Sequence, residues 1–585
     1  MPDPMEWTNL KLADLLERIG DILQLQGENA FKVGAYRRAS ESLSHLNQDI
    51  RAIWQNDAKN LKTISGVGDA IALKLDELLR TGSLAYYDKI SSEVPLGVLE
   101  IMKVPDVGPK TTLRLWKDLQ ITTTDELRAA IAAGKVQEMK GMGAKSAAKI
   151  LAGLDMVARK TGRRRIDQVD PFANDLLASM RSACGQSIQE ITFAGSLRRR
   201  RSTIGDLDLL ACAAEKDHAR ILETFTKLQH VASVNDHGGT KASIIAHNGM
   251  QVDLRVILPK NWGCALVYFT GSKDHNVIIR GMAQQLGMSL NEYRFAKGKK
   301  EIFCESEAEV YQQVGLAWIP PELREAAGEI EAAREGRLPK LIERADLLGD
   351  LQSHSTWSDG AVSIEQMARA AKARGLKYLA VTDHSSGLGV TQGLDATRIK
   401  QQWAEIDALN ATLKGFTVLK GLELEIRADG SLDMPDEILA QLDICLASTH
   451  TAQKQERAKI TARVIQAMHH PYVDAIAHPT GRLIGERESS ELDVAAAMPA
   501  AKETGTLLEV DGAPERMDLD EVHVRRLKEL GLKTIIDSDA HRPEHFGALD
   551  YGIGNARRGW AEASDVLNTL PWSKMKKFLK RNRKS

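Results

Sequence analysis

Two acids separated by one residue, Asp206 and Asp208 in G-S-L-R-R-R-R-S-T-I-G-D-L-D (195–208), are the residues around which chemistry is most readily built. On a strand, side chains at i and i+2 leave the same face. Ile191, Phe193, Leu207, Leu209 and Leu210 make the setting apolar, so the stretch reads as a buried strand presenting two carboxylates at a sheet edge. Carboxylates held together repel, and a divalent metal is the usual relief. The Gly195-Ser196 turn and the four arginines after it offer amides and cations to a phosphate, although a solvated strand end capped by arginines has the same composition. Farther on, 251–258 alternates so that Asp253 faces the same site. Three carboxylates with two divalent ions suit phosphoryl transfer: one ion acidifies an attacking hydroxyl and the other neutralises a leaving pyrophosphate.

A second set lies in the C-terminal half. From Asp350 onward, short apolar strands (378–382, 417–424, 444–448, 475–477, 507–510 and 534–536) alternate with helices. That is the pattern of a β/α barrel, whose reactive residues gather at strand C-termini. His354 and Asp359 lie in D-L-Q-S-H-S-T-W-S-D-G and His384 ends T-D-H. Glu423 ends G-L-E, His450 ends S-T-H, His478 lies in A-H-P, and Asp539 and His541 lie in S-D-A-H. A lone histidine after a strand is usually structural, but this many ligand types at strand ends read as a multinuclear metal site. Arg482, in H-P-T-G-R, is a phosphate clamp or a surface arginine.

The elements that position these groups follow from the bulk and the pattern of the chain. A length of 585 residues exceeds one core and implies several domains. Apolar content of 43% with 27% charge is that of a globular protein in water. The net charge of −1 gives no global attraction to nucleic acid, so any such contact must use local clusters such as 159–165, 198–201 and 574–584. Five scattered cysteines without C-x-x-C, no signal-like N-terminus and no bilayer-length apolar run predict a cytoplasmic protein that does not use a membrane.

The first 90 residues read as helices, with Leu10, Leu12, Leu15, Leu16, Ile19, Ile22 and Leu23 at helical spacing. A glycine turn then recurs three times: Gly66-Val-Gly68, Val107-Gly108 and Gly141-Met-Gly143, opening helices expected at 69–79, 109–119 and 144–154. Glycines there let backbone approach a ligand, and helix N-termini offer free N–H groups. Three such loops favour a sequence-independent grip on a nucleic-acid backbone. Between the glycine turns and the barrel, helices are expected at 170–180 and 218–228 and a strand at 188–194. Residues 319–347 begin Ile-Pro-Pro and continue as a charged, Ala-rich helix over 322–337, predicting a semi-rigid linker.

The glycine repeats resemble helix–hairpin–helix motifs, with Asp106 in place of the usual first glycine of the second. From about residue 10 to 318 the chain resembles an X-family DNA polymerase: G-S-x-R-R…G-D-x-D, D-L-R, and Y-F-T-G-S (268–272), with Asn276, Arg280 and N-E-Y (291–293) following at the expected spacing. The resemblance implies that Asp206, Asp208 and Asp253 hold two Mg²⁺ or Mn²⁺ ions and that Gly195, Ser196, Arg199 and Gly205 contact the triphosphate, with Arg165 nearby. Tyr268 and Gly271 would line the sugar, Asn276 reach the base edge and Arg280 the template. A bare strand-to-helix turn is the alternative reading of 268–272. Gly66, Gly68, Gly108, Gly141 and Gly143 would grip DNA, with a monovalent cation at the hairpin loops. Lys74 falls where family lyases carry a Schiff-base lysine, supported by Lys32 and Tyr36, but Ala70 stands where another cation is expected, and a solvated helical lysine fits equally.

Residues from about 348 to 560 resemble a polymerase-and-histidinol-phosphatase (PHP) domain, a distorted seven-stranded barrel with up to three Zn²⁺ or Mn²⁺ ions. One departure is Gln352, where the family has the first histidine of H-x-H; an amide oxygen ligates zinc less strongly than imidazole. The implied chemistry is phosphoester hydrolysis by metal-activated water, with 3′ DNA ends as substrate. The expected architecture is therefore multidomain: a helical lyase-like domain (1–90), helix–hairpin–helix fingers (91–165), an α+β nucleotidyltransferase palm (166–260), a thumb (261–318), the linker (319–347) and a (β/α)7 PHP barrel (348–585). The expected activity is gap filling on gapped or nicked duplex with deoxynucleoside triphosphates, by a monomer whose barrel acts as a 3′-5′ exonuclease or phosphoesterase. An inert barrel, or a DNA-end-binding protein without turnover, are the rivals.

Overall fold

The computed structural model describes all residues except 1–6, 8, 45–49, 65, 92, 103, 105–106, 140, 144–145, 152, 155–162, 388–390, 485–486, 488 and 583–585. Asp106, the start of the third hairpin helix and most of the 159–165 basic cluster thus lie outside the described residues. The chain divides into two compact units: residues 1–163 with 247–250 and 273–281, and residues 164–246 with 251–272 and 282–585.

In the first unit, the helix Asn9–Leu25 buries Leu12, Leu15, Leu16, Ile19, Ile22 and Leu23 along one stripe. That stripe belongs to an apolar core drawn from residues 12–99, and a second core gathers residues 101–154. Each hairpin helix starts where its sequence permits: Gly68 precedes Asp69–Thr81, and Gly108 precedes Pro109–Leu119 with proline in the first turn. After Gly143 the described residues are helical from 146.

The second unit begins with a five-stranded sheet in the order Glu190–Phe193, Leu207–Cys212, Gln251–Ile257, Lys241–Ala246, Val231–His237. Leu207–Cys212 and Gln251–Ile257 are parallel neighbours; the other pairs are antiparallel. The barrel that follows has seven parallel strands in sequential order, Gly349–Asp350, Tyr378–Val381, Thr417–Glu425, Ile444–Ser448, Ala475–Ile476, Leu507–Asp511 and Thr534–Asp537. A parallel bridge from Ser353 to Ala540 brings the last strand to the first. Alternation along each strand builds two cores: Tyr378, Ala380, Leu419, Ile444 and Leu446 pack in one, and Leu379, Val381, Val418, Cys445 and Ala447 in the other, which also holds the surrounding helices.

The expected linker helix is not formed. Only Glu329–Arg334 is α-helical, preceded by a 3-10 turn at Pro321–Leu323. Helix propensity loses here to tertiary pairing: Arg324 is fully buried on Glu307, and the Glu329 carboxylate accepts the N–H groups of Ala326 and Ala327. Gly328, at φ 95°, separates the two pieces. The segment is thus packed within the second unit rather than spacing two folding units apart.

Glu307 is the keystone of that packing. It accepts Arg198 Nη1 and Nη2 at 2.6 and 2.9 Å, Arg324 Nη1 at 2.7 Å and Trp318 Nε1 at 3.0 Å. Burial alone would raise its pKa, but the Arg324 and Arg198 guanidiniums carry it down to about 2. A lowered carboxyl pKa stabilises the fold above the unfolded value near 4.5 and ceases to do so as pH falls through about 2. At 1.36 kcal/mol per unit this is about 3 kcal/mol at neutral pH. Glu307→Gln is therefore expected to destabilise the protein by that order at pH 7, with the gap from wild type roughly halved at pH 3. Denaturant melts of both proteins across that pH range check it, and a pH-independent difference would refute the charge argument.

Candidate functional site

The palm carboxylates are set by strand register. Asp208 pairs with Asp253 across the two parallel strands, and Asp206 lies just before the first of them. The Gly195 turn is tied to the same strand, because Ala194 N donates to the Asp208 carbonyl at 2.8 Å. Gly195 has φ 59°, and a β-carbon there would run into the Asp208 carboxylate, so this position admits only glycine. Asp208 is pushed up to about 7 by burial and then by the charges of Asp206 and Asp253, with Arg255 and Arg199 pulling the other way. Gln251 Nε2 donates to both Asp253 oxygens at 3.2 Å. The protein's own cations do not offset three acids here, which suits divalent ions bound between them.

The four arginines of the motif are not loose. Arg198 is held by Glu307, Arg200 by Asp170 at 3.0 Å, and Arg201 lies 3.7 Å from Glu325. Arg199 Nε donates to Glu325 Oε1 at 3.0 Å and its Nη1 to the Thr270 carbonyl. Ser196 sits in the one-turn helix Gly195–Arg198, and Gly205 in the bend before Asp206. Residues 268–270 close the helix Trp262–Thr270, so the segment joins two helices rather than a strand to a helix. Tyr268 is 38% exposed and Gly271 takes φ 71°. Asn276 and Arg280 are four residues apart on the helix Lys273–Gln285, one above the other on one face.

The barrel brings all eight predicted His, Asp and Glu groups to its C-terminal end. Glu423 is central: its oxygens lie 3.4 Å from His354 Nε2 and His384 Nδ1, 3.3 Å from His450 Nε2 and 2.9 Å from His478 Nε2. His354 Nε2 is 3.0 Å from Asp539, and Asp359 is 3.5 and 3.4 Å from His384 and His541. Three sets have ligand atoms all within 4.8 Å: His354, Asp359, His384, His541; His384, Glu423, His450; and His354, Glu423, Asp539. Among the described residues no palm set is drawn so tight. Burial works against charged imidazoles, yet Glu423 and Asp359 carry His384 up to about 9.

These residues fit divalent metal. Both ring nitrogens of His354, Glu423 Oε2 and Asp539 Oδ1 are buried without a hydrogen-bond partner, as are both amide atoms of Gln352. Buried polar atoms are rarely left so, and ligation would satisfy one His354 nitrogen, the two carboxylate oxygens and the Gln352 amide oxygen. Behind them, Glu425 accepts His450 Nδ1 at 3.1 Å, and Asp383 takes Ser355 and Gln402 at 2.6 Å, fixing ligand orientation.

Other functional groups escaped the sequence reading. Arg482 is no phosphate clamp: its guanidinium donates to the carbonyls of Arg516 and Met517. Arg516 itself, largely buried, lies 3.7 Å from Asp511 and 3.9 Å from Asp539. The signal was available, since Leu507–Asp511 was the one barrel strand after the first loop to which no reactive residue had been assigned. The cluster of candidate ligands opens into a cleft of about 820 Å³ lined by Arg516, Asp539, His541 and His545 on the barrel and by Asn174 and Arg200 on the palm.

In the first unit, Gly66 (φ 77°) backs onto Arg38, whereas β-carbons at Gly68, Gly108 and Gly143 would meet open space. The fold does not demand glycine at those three positions, which leaves room for a ligand's close approach. Gly141, at φ 82°, shapes its turn. Lys74 Nζ stands 4.6 Å from the Tyr86 ring, and Tyr86 stacks with Tyr36 at 6.5 Å. Burial, then the nearby Lys32 charge, hold the Lys74 amine below the usual lysine range.

Gln352→His is expected to raise zinc affinity on the order of tenfold by replacing an amide with imidazole. Competition against a chromophoric chelator reads this directly; unchanged affinity would place residue 352 away from the ions.

Comparison with known proteins accords with this geometry. The family models matched are a helix-hairpin-helix domain (7–84), a SAM-like helix-hairpin-helix tandem (98–155), the DNA polymerase beta thumb (265–325) and the PHP domain (350–503). "DNA polymerase/3'-5' exonuclease PolX" of Bacillus subtilis is 38% identical over 97% of this chain and 98% of its own. A "Probable phosphatase" of Acetivibrio thermocellus is 30% identical over 34% of this chain and 82% of its own. Among the described residues no helix is long and apolar enough to cross a membrane. The chain belongs to the X-family DNA polymerases that carry a C-terminal PHP domain.

Proposed function

We propose that this protein is a DNA-directed DNA polymerase that fills short gaps in repair and trims 3′ ends with its barrel. The observation that carries the polymerase reading is the register of Asp208 on Asp253, beside Asp206 and the Gly195-Ser196 turn. Asp206, Asp208 and Asp253 would hold two Mg²⁺ or Mn²⁺ ions, which when bound supply Lewis acidity at the phosphates. Gly195, Ser196, Arg199 and Gly205 bind the triphosphate, and Tyr268 and Gly271 line the sugar. Asn276 and Arg280 contact base and template. Turn glycines at Gly66, Gly68, Gly108, Gly141 and Gly143, with a monovalent cation, grip the duplex backbone on either side of a gap or nick.

For the barrel, Gln352, His354, Asp359, His384, Glu423, His450, His478, Asp539 and His541 would hold up to three Zn²⁺ or Mn²⁺ ions. Arg516 neutralises phosphate charge at the cleft, which takes a strand end. The printed name of the Bacillus subtilis relative supports 3′-5′ exonuclease activity. We take the protein to act as a cytoplasmic monomer.

Gap filling and 3′ digestion are expected to separate by mutation. Asp206→Ala/Asp208→Ala abolishes primer extension and spares digestion; His384→Ala does the reverse. Extension by the palm variant sinks the polymerase reading, and undiminished digestion by His384→Ala leaves the barrel as scaffold. A wild type that binds ends but neither extends nor digests them would favour the binding protein.

A second reading rests on Lys74, whose lowered pKa and aromatic neighbours suit a Schiff-base nucleophile. Borohydride should trap wild type, but not Lys74→Ala, on a 5′-deoxyribose-phosphate end; equal trapping in both removes Lys74 from the chemistry.

A further inference from the structure

The helix Leu549–Arg558 belongs to the barrel, yet it packs against the arginines of the polymerase motif. Arg200 Nε lies 3.2 Å from where a β-carbon on Gly554 would sit, and Arg200 Nη2 reaches the Asp550 carbonyl at 3.5 Å. One turn on, Arg557 Nε donates to Glu322 at 2.8 Å and its Nη1 to the Ile342 carbonyl. The next residue makes the closest link. Arg558 is buried, with Nη1 on the Arg199 carbonyl at 3.0 Å and on Glu325 Oε1 at 2.9 Å, and Nη2 on Glu521 Oε1 at 2.7 Å.

Glu325 is therefore shared. The same Oε1 that accepts Arg558 also accepts Arg199 Nε, and its other oxygen faces Arg201 at 3.7 Å. Arg201 approaches Glu521 at 3.9 Å and closes the ring. Three guanidiniums meet two carboxylates, so the network keeps one net positive charge beside the palm acids. Arg199 is pinned at two points, and both depend on neighbours: the Thr270 carbonyl from the thumb and Glu325, which Arg558 holds from the barrel side.

We propose that Arg558 is a positioning residue for nucleotide addition: through Glu325 and the Arg199 carbonyl, the barrel sets where the Arg199 guanidinium meets an incoming triphosphate. The proposal rests on the polymerase reading above. A planar fork shared between a carbonyl and two carboxylates fixes direction as well as charge, and neither a lysine nor an amide reproduces it. Loss of the fork leaves Glu325 held by Arg199 and Arg201 alone, so Arg199 follows a mobile partner. Its contribution is made on binding the triphosphate, so the effect belongs in KM.

The test is single-nucleotide insertion into a one-nucleotide gap by the full chain, as a function of deoxynucleoside triphosphate concentration. Arg558→Gln is expected to raise KM for the nucleotide about tenfold, equivalent to 1.4 kcal/mol, with kcat within about twofold. Arg558→Lys falls between it and wild type, and Arg558→Gln with Glu325→Gln costs less than the two singles together. Metal content and 3′ hydrolysis by the barrel stay at wild-type values. Wild type that inserts nothing overturns the polymerase reading itself. A nucleotide KM in Arg558→Gln within about twofold of an active wild type overturns the positioning role alone. A parallel fall in kcat, barrel hydrolysis and melting temperature in both Arg558 variants also overturns it, marking a purely structural residue.

Discussion

Carboxylates kept close together and away from water must be neutralised, and this constraint shapes the second unit from end to end. Ionising a buried acid beside another acid is costly, so each cluster needs protons, guanidiniums or metal. Glu307 and Glu325 are matched by arginines. Inside the barrel, Glu509, Asp511 and Asp537 are held well above the usual carboxylate range by burial first and then by nearby acids: Asp511 and Asp537 for Glu509, Asp539 for Asp511, and Asp350 for Asp537. Among the described residues, Asp208 gathers acids without cations enough to offset them, and around Glu423 carboxylates and imidazoles converge on a common space. A metal bound at those places therefore completes an electrostatic balance that the fold leaves open.

The sequence revealed residue types at strand ends far better than it revealed who pairs with whom. Strand alternation makes Asp208 and Asp253 legible as facing residues, because a period of two is a local property, whereas Asp206 lies in the bend before its strand. The barrel ligands were legible for the same reason: each follows a short apolar strand, and parallel β/α order puts those ends together. The arginines of the 195–208 motif were not legible. As a run they look like a ready anion site, but Arg198 finds its acid 109 residues away and Arg199 finds its own 126 residues away. Nothing in local spacing marks Glu307 or Glu325 as the partner.

The failed helix over 322–337 has the same origin. Its composition favours helix by a few tenths of a kcal/mol per residue. Burying Arg324 on Glu307 and seating Glu325 between arginines outweighs that, since an unpaired buried charge costs several kcal/mol. Arg482 departs from its sequence appearance for a related reason. Arg482 has the more suggestive neighbours in sequence, yet it is drawn away by the Arg516 and Met517 carbonyls, and that brace helps hold the Arg516 segment against the metal cluster.

What emerges is one polypeptide in which the segment between palm and barrel is structural cement rather than a tether. The motif arginines face the barrel helix Leu549–Arg558, and the cleft over the metal cluster has the palm helix Ile166–Cys184 along one side. A charged network of this size tolerates little sliding, because moving either partner unpairs buried guanidiniums. The palm acids and the barrel cluster are thereby carried on one compact unit.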